Sequence, residues 1–325
     1  MASVSICIPT YNRQDLLPWA IESVLQQTFQ DWELVVCDDG SQDGTADRMA
    51  RYGDGRIRYL RHGQNIGKSN NMRSGFEATT GDYFLKFDDD DRLCPDFLEK
   101  TVACLQQHPQ VAFVGTDHWL IDRQNHRQVT ATDQNSQVWG RSELPEGLVA
   151  DLLQRVFVVQ SFQVGATLFR RSALVAVDFM RSGLRNCEDN DLLVRLALGG
   201  AQGYYLPQRL MEYRVHGEQQ GLDRAIPYLE DKIRYLDYFQ FDREDLEQVR
   251  RSRLRESQLL LGLRQVERGQ DPQGRALIRA AGTASPRAKV GLGLSYVPLP
   301  LRRLLFQGLR RLRGQDYSDR IRQGG

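Results

Sequence analysis

Two hydrophobic rhythms alternate along the first two thirds of the chain. Residues 4–9, 32–37, 57–60 and 82–87 form short apolar runs rich in β-branched and aromatic side chains, and each stops at a polar or turn-forming group. Such runs predict strands. Between them the apolar spacing changes to that of a helix, with Leu16, Ala20 and Val24 marking one over residues 16–27. A second helix is expected after Asp43-Gly44-Thr45, capped by Asp43 or Thr45, and a third over residues 69–79. Further on, the pattern predicts a helix over 96–107, a strand over 111–115, a loop or hairpin over 122–137, a strand over 164–169, an amphipathic helix over 189–198 and a strand over 204–213. From Pro227 onward the pattern is mainly helical. Regular β-α alternation implies a mostly parallel central sheet flanked by helices. Ligands of such sheets bind beyond the carboxyl ends of the strands. The polar clusters that begin at Thr10, Asp38 and Asp88 all follow strands, so this reading brings them together.

Composition narrows the class. A chain of 325 residues with 41% hydrophobic and 26% charged content can build one large α/β core and an appendage. The expected division is a catalytic α/β domain over 1–225 and a helical region with a basic amphipathic tail over 226–325. The total charge of +1 hides an asymmetry: from Pro286 onward nine Lys/Arg stand against two aspartates, a net +7, which leaves −6 for the rest. Five cysteines without CxxC spacing argue against a disulfide framework or a zinc site, and fit a reducing cytoplasm. No basic-then-apolar leader and no 18-residue apolar stretch is visible, so neither a secretory signal nor a membrane span is expected.

The acidic clusters carry the candidate chemistry. Asp88 to Asp91, four aspartates after an apolar strand, repel one another unless a cation or several donors offset them. A hard divalent ion does so with only one or two carboxylates when substrate phosphates complete its shell. A solvated turn ahead of the helix at Asp96 is the simpler alternative. Asp38-Asp39-Gly40-Ser41 reads equally as a turn and cap. Glu188-Asp189-Asn190-Asp191 opens a helix, where carboxylates favour the positive end of the dipole or serve as a general base.

Cys7-Ile8-Pro9-Thr10-Tyr11-Asn12-Arg13, Cys37-Asp38-Asp39-Gly40-Ser41-Gln42-Asp43-Gly44-Thr45, Asn65-Ile66-Gly67, Phe87-Asp88-Asp89-Asp90-Asp91 and Glu188-Asp189-Asn190-Asp191 occur in the order and spacing of the family 2 glycosyltransferases. Over about residues 3–217 the chain resembles that family, whose fold is the Rossmann-like GT-A arrangement. The resemblance implies an inverting transfer of a sugar from a nucleotide-diphospho-sugar, of UDP type, to a hydroxyl acceptor, with Mn²⁺ or Mg²⁺ as cofactor. It places Pro9, Thr10, Tyr11 and Arg13 around the nucleotide, with Tyr11 against the base and Asp38 accepting a hydrogen bond from the base edge. Asn65 belongs to the same binding surface. The DxD motif falls on Asp88 and Asp90, with Asp90 as direct metal ligand and Asp89 and Asp91 next to sugar or metal. Asp189 takes the position of the base. His216 resembles a late histidine that in some relatives approaches the metal or diphosphate. Relatives carry an Arg-Asn pair where this chain has Met72-Arg73, which leaves Lys68 or Arg73 to meet the diphosphate.

The implied setting is surface polysaccharide or glycolipid synthesis in a bacterium, with a saccharide, lipid-linked or other hydroxyl acceptor. Residues 297–313 mix Leu and Phe at helical spacing with basic residues, a pattern suited to an anionic bilayer surface or to packing on protein. The expected location is therefore cytoplasmic with peripheral contact to the inner face of the membrane. Nucleic acid is not an expected partner, since the basic residues lack interleaved aromatics. Two rival readings are a catalytically silent nucleotide-sugar-binding scaffold and a nucleotidyltransferase. The second would need a Gly-rich basic loop after the first strand, which Pro9-Thr10-Tyr11-Asn12-Arg13 is not.

Overall fold

The computed structural model describes residues 2–215 and 222–312. The chain divides into two compact units, Met1–His216 and Gly217–Gly325. The first runs β1 (Val4–Thr10), α1 (Leu17–Leu25), β2 (Trp32–Asp38), α2 (Thr45–Met49), β3 (Ile57–Arg61), α3 (Lys68–Glu77), β4 (Tyr83–Lys86), β5 (Arg92–Leu93), α4 (Phe97–Gln107), β6 (Val111–Ile121), α5 (Val129–Val138), β7 (Gly147–Leu148), β8 (Thr167–Arg170), α6 (Arg171–Ala176), α7 (Glu188–Leu198) and β9 (Gln202–Arg214).

These strands form one mixed sheet in the order β3-β2-β1-β4-β8-β6-β9-β5, with β7 also paired to β9. The long ladders are parallel: β1 with β2 and β4, β2 with β3, and β6 with β9. The antiparallel pairings of β4 with β8, β6 with β8, β5 with β9 and β7 with β9 are only two or three residues long. All seven residues of β1 are buried, as a central parallel strand covered on both faces requires. The core joins Ile6, Ile8, Leu34, Val36 and Leu85 of the sheet to Leu17, Ile21 and Val24 of α1 and to Phe97, Leu98 and Val102 of α4. Cys7 and Cys37 pack against Gly75 of α3, where a Cβ would lie 2.2 Å from the Cys7 sulfur. All five cysteines are free and buried.

Two elements depart from the sequence expectation. Within the polar stretch over 122–137, residues from Val129 onward form helix α5, although its apolar residues have no helical spacing. Its buried positions are polar instead. The Thr132 hydroxyl accepts from Leu120 N–H at 2.9 Å, and Ser136 donates to Asp117 at 2.6 Å. Arg141, held by Asp117 at 2.7 Å and by Asn135, completes a buried polar seam between α5 and β6. A seam of satisfied polar groups leaves no hydrophobic period to read. The strand expected to start at Val164 also shifts: Val164–Ala166 is a 3₁₀ turn, and β8 begins at Thr167.

The second unit contains α8 (Leu222–Asp237), α9 (Glu244–Arg268), α10 (Asp271–Ala281), α11 (Pro286–Leu294) and α12 (Leu299–Leu312). Gly262 and Gly274 let α9 and α10 cross closely, since a Cβ at Gly262 would meet the Gly274 carbonyl oxygen at 2.8 Å. A small core of Val266, Ile278, Ala288 and Phe306 follows. No described helix is long and apolar enough to cross a membrane.

Candidate functional site

The carboxyl ends of β1, β2 and β4 lie side by side, and the start of α7 reaches the same place. After β1, Asn12 adopts a left-handed conformation (φ 53°), and its carboxamide oxygen accepts from Gln42 N–H at 2.8 Å. Asn12 N–H donates in turn to the Ser41 hydroxyl at 2.8 Å, which ties the two loops together. Pro9 and Thr10 are buried at the end of the strand, whereas Tyr11 is 44% exposed. After β2, Asp38 is fully buried: one oxygen accepts from Ser41 N–H at 2.8 Å and the other from the Tyr59 hydroxyl. Burial and this contact raise the Tyr59 pKa. Asp39 takes the next loop, accepting from Ile66 N–H at 2.6 Å and Gly67 N–H at 3.1 Å. Gly40 is required here, because its φ is +80° and a Cβ would lie 2.8 Å from the Gln64 backbone. Asn65 closes its own turn by accepting from Gly67 N–H at 3.1 Å.

The centre is a cluster of two lysines and three carboxylates. Lys86, the last residue of β4, is 1% exposed and donates to Asp88 Oδ2 at 2.9 Å and to Asp189 Oδ2 at 3.1 Å. Lys68, the first residue of α3, pairs with Glu188 at 2.9 Å and lies 3.8 Å from Asp88. Burial alone would depress both lysines, but the surrounding carboxylates raise them, so both stay charged. Burial would likewise raise Asp88, yet the two lysines hold it down to about 2. Asp189 is raised by burial, an effect opposed mainly by Lys86. Asp189 Oδ1 and Glu188 Oε2 are shielded from solvent and have no hydrogen-bond partner.

The remaining members of the acidic run differ from one another. Burial and the adjacent Asp90 push Asp89 up to about 7, against a smaller opposing effect from Thr10 and Arg13. Asp91 turns inward and is fully buried, with Oδ1 accepting from Arg214 N–H at 2.8 Å. The expectation that it borders sugar or metal is therefore corrected: Asp91 anchors β9. Among the described residues no three His, Cys, Asp or Glu side chains converge as a ready metal cage. Carboxylate oxygens at this place are nonetheless the donor type of a hard cation shared with a diphosphate, and the repulsion by which Asp90 raises Asp89 is of the kind such an ion relieves.

The sequence left two cations open for the diphosphate, and the structure separates them. Lys68 joins the acidic cluster, whereas the Arg73 guanidinium is taken by the Asp178 and Met180 carbonyls at 2.9 and 2.8 Å and by the Asp178 carboxylate at 2.9 Å. Arg73 thus braces the segment before α7. His216 lies outside the described residues. Lys86 was missed by motif reading, although a lone lysine inside an apolar strand directly before four aspartates was a visible signal.

Residues 5–174 match the model of the family described as glycosyl transferase family 2. The putative glycosyltransferase EpsE of Bacillus subtilis (strain 168) is 31% identical over 216 residues, which cover 65% of this chain and 72% of EpsE. The UDP-Glc:alpha-D-GlcNAc-diphosphoundecaprenol beta-1,3-glucosyltransferase WfgD of Escherichia coli is 29% identical over 119 residues, 37% of this chain and 47% of WfgD. Among solved structures, S. aureus TarS 1–349 in complex with UDP-GlcNAc superposes with a TM-score of 0.61 at 16% identity, over 97% of this chain and 93% of that one. The mannosyltransferase PcManGT of Pyrobaculum calidifontis, in complex with GDP-Man and Mn²⁺, gives 0.58 at 16% identity, over 97% and 88%. At such identities the structural likeness shows the shared fold.

Proposed function

The chain belongs to glycosyl transferase family 2, and from that premise we propose that it transfers a sugar with inversion from a UDP-sugar to a hydroxyl of a saccharide or lipid-linked acceptor in surface polysaccharide or glycolipid synthesis. The observation that carries the reading is Asp189: in the first turn of α7 its carboxylate is held by Lys86 at 3.1 Å while its side chain stays 31% exposed. A carboxylate so arranged can accept the acceptor's hydroxyl proton. The acceptor oxygen attacks the anomeric carbon as the bond to the diphosphate oxygen breaks, the proton goes to Asp189, and the nucleoside diphosphate leaves with the bonding electrons. Attack from the face opposite the leaving group inverts the centre, and no covalent enzyme intermediate is required.

Tyr11, at the exposed rim of β1, supplies a face for the base, and Thr10 and Arg13 border the sugar nucleotide beside Asp89. Asp38 already holds Ser41 and Tyr59, so its part toward the base edge is that of an oxygen with lone pairs left over. Lys68, paired with Glu188 but with its side chain 40% exposed, is the cation that would meet the diphosphate. Asp90, with Asp89 beside it, would hold Mn²⁺ or Mg²⁺, which when bound supplies charge neutralisation of the leaving diphosphate. Asp88 is engaged by the lysines and is the weaker candidate ligand. WfgD carries a UDP-Glc donor and a diphosphoundecaprenol acceptor in its name, and TarS was solved with UDP-GlcNAc. WfgD supports the UDP and lipid-linked readings, and TarS the UDP reading.

The tail supports peripheral contact with an anionic membrane. Helix α12 seats Arg302 and Phe306 inward, where Arg302 pairs with Asp271 at 2.6 Å, so Arg302 does not belong to a free basic face. Leu301, Leu304 and Leu305 face outward, at 53%, 63% and 42% exposure, with exposed Arg303 beside them. An apolar stripe next to basic residues suits the headgroup boundary of a bilayer.

The test of the main reading is a calorimetric screen of nucleoside diphosphates and nucleotide sugars with and without Mn²⁺. Metal-dependent binding of a UDP-sugar is the expected result. Binding without release of nucleoside diphosphate in Mn²⁺ would shift the assignment to a silent nucleotide-sugar-binding scaffold of the same fold, and failure of every nucleotide sugar to bind would overturn the donor reading.

A further inference from the structure

We propose that Lys86 is the positioning residue of the catalytic base: by holding Asp189 Oδ2, with Asp88 as its second anchor, it fixes the orientation in which the partly exposed Asp189 carboxylate meets the acceptor hydroxyl. The inference rests on the reading of Asp189 as base. A lysine at 1% exposure in the interior of a sheet is costly unless its charge is met. Here it is met twice, at 2.9 Å by Asp88 and at 3.1 Å by Asp189, residues 101 positions apart in the chain. Lys86 therefore ties the turn after β4 directly to the Asp189 carboxylate in the first turn of α7.

The geometry distinguishes positioning from simple neutralisation. A carboxylate at the start of a helix can rotate about its side-chain bonds, and either oxygen could then face the reacting group. Lys86 removes that freedom by engaging one oxygen from a rigid strand whose neighbours β1 and β8 fix it on both sides. Lys68 does not duplicate the contact, since its partners are Glu188 and Asp88. The backbone holding Asp189 is itself braced independently: Asp191 on the same helix pairs with Arg195 at 2.7 Å, and Ser69 of α3 donates to the Leu184 carbonyl just upstream. What Lys86 adds is orientation of the side chain, which acts on turnover more than on donor binding.

A double-mutant cycle on the full chain tests this, with release of nucleoside diphosphate from UDP-glucose, UDP-galactose and UDP-GlcNAc in Mn²⁺ as the rate and calorimetric binding of UDP with Mn²⁺ as the second readout. Lys86→Met should lower the rate by roughly 10²-fold, the usual cost of about 1 Å of misplacement, with UDP affinity changed far less. Combined with Asp189→Asn, it should slow the reaction no further, to within about twofold. Additive losses in the double variant would overturn the positioning role, as would a Lys86→Met variant that turns over at the native rate. Should Lys86→Met fail to fold, Lys86→Gln enters the same cycle with the same criterion. A fully active Asp189→Asn single variant would remove the base reading itself and the inference with it, whereas a slow Asp189→Asn with additive Lys86 losses would remove the inference alone.

Discussion

The acidic turn after β4 and the acidic start of α7 use similar residues for different ends, and each is divided within itself. In the turn, Asp88 is held down by lysines, Asp89 is raised by burial and by Asp90, and Asp91 is buried as an acceptor for the β9 backbone. In the helix, Glu188 and Asp189 meet Lys68 and Lys86, while Asp191 is fully buried against Arg195 and Arg181. Local geometry makes the division. Residues two apart on a helix point about 200° from each other, so Asp189 faces the site and Asp191 the core. In the turn, Asp91 N–H closes back on the Asp88 carbonyl, which sends the two end carboxylates in different directions. The two clusters also differ in compensation: Glu188 and Asp189 each meet a lysine, whereas in the turn Asp89 is raised by its neighbour Asp90.

The sharpest way to break this comparison is to treat the two aspartates of α7 alike. Asp189→Asn should reduce turnover by roughly 10²–10⁴-fold with UDP affinity retained, measured as steady-state release of nucleoside diphosphate alongside calorimetry. Asp191→Asn should act on stability instead, costing about 1.5–3 kcal/mol through loss of its charge-assisted contacts with Arg195 and Arg181. Urea denaturation reads that loss, and equal rate defects in both variants would erase the distinction.

The turn offers the next contrast. Asp90→Ala should weaken Mn²⁺-dependent UDP binding by at least the roughly 10-fold that loss of a ligand's supporting partner costs, whereas Asp91→Asn should leave the metal dependence of binding as it is. A titration in which both variants respond equally to Mn²⁺ would rule out the separation. Smaller effects lie at the rim. Tyr11→Ala should cost UDP binding about 1 kcal/mol through lost stacking, and an unchanged affinity would take Tyr11 away from the base. Smallest of all, Leu304→Glu should abolish recovery with anionic liposomes without changing the rate in solution, and retention on the vesicles would exclude the α12 stripe as the contact.

Much of the site was legible because strands that end in polar clusters place those clusters on one edge of a parallel sheet. Thr10, Asp38 and Asp88 could be brought together from the strand ends alone, whereas Asp189, at the start of a helix, joined them only through the family's motif order. Helix α5 could not, since Thr132, Asn135 and Ser136 are buried by hydrogen bonds rather than by apolar period. The part played by Arg73 was equally invisible: a guanidinium close to the binding segment reads as a phosphate ligand until the Asp178 and Met180 carbonyls are seen to hold it.

The sequence by itself determined the family, the α/β architecture and the set of residues that crowd the strand ends, because hydrophobic period and motif order are properties of the chain. The tertiary structure decided how that set is divided: Asp88 and Asp189 onto Lys86, Lys68 onto Glu188, Asp91 and Asp191 into the interior. Those assignments depend on which carboxylate oxygen comes within about 3 Å of which donor. Such distances, for residues a hundred positions apart, are set only when the sheet and α7 pack.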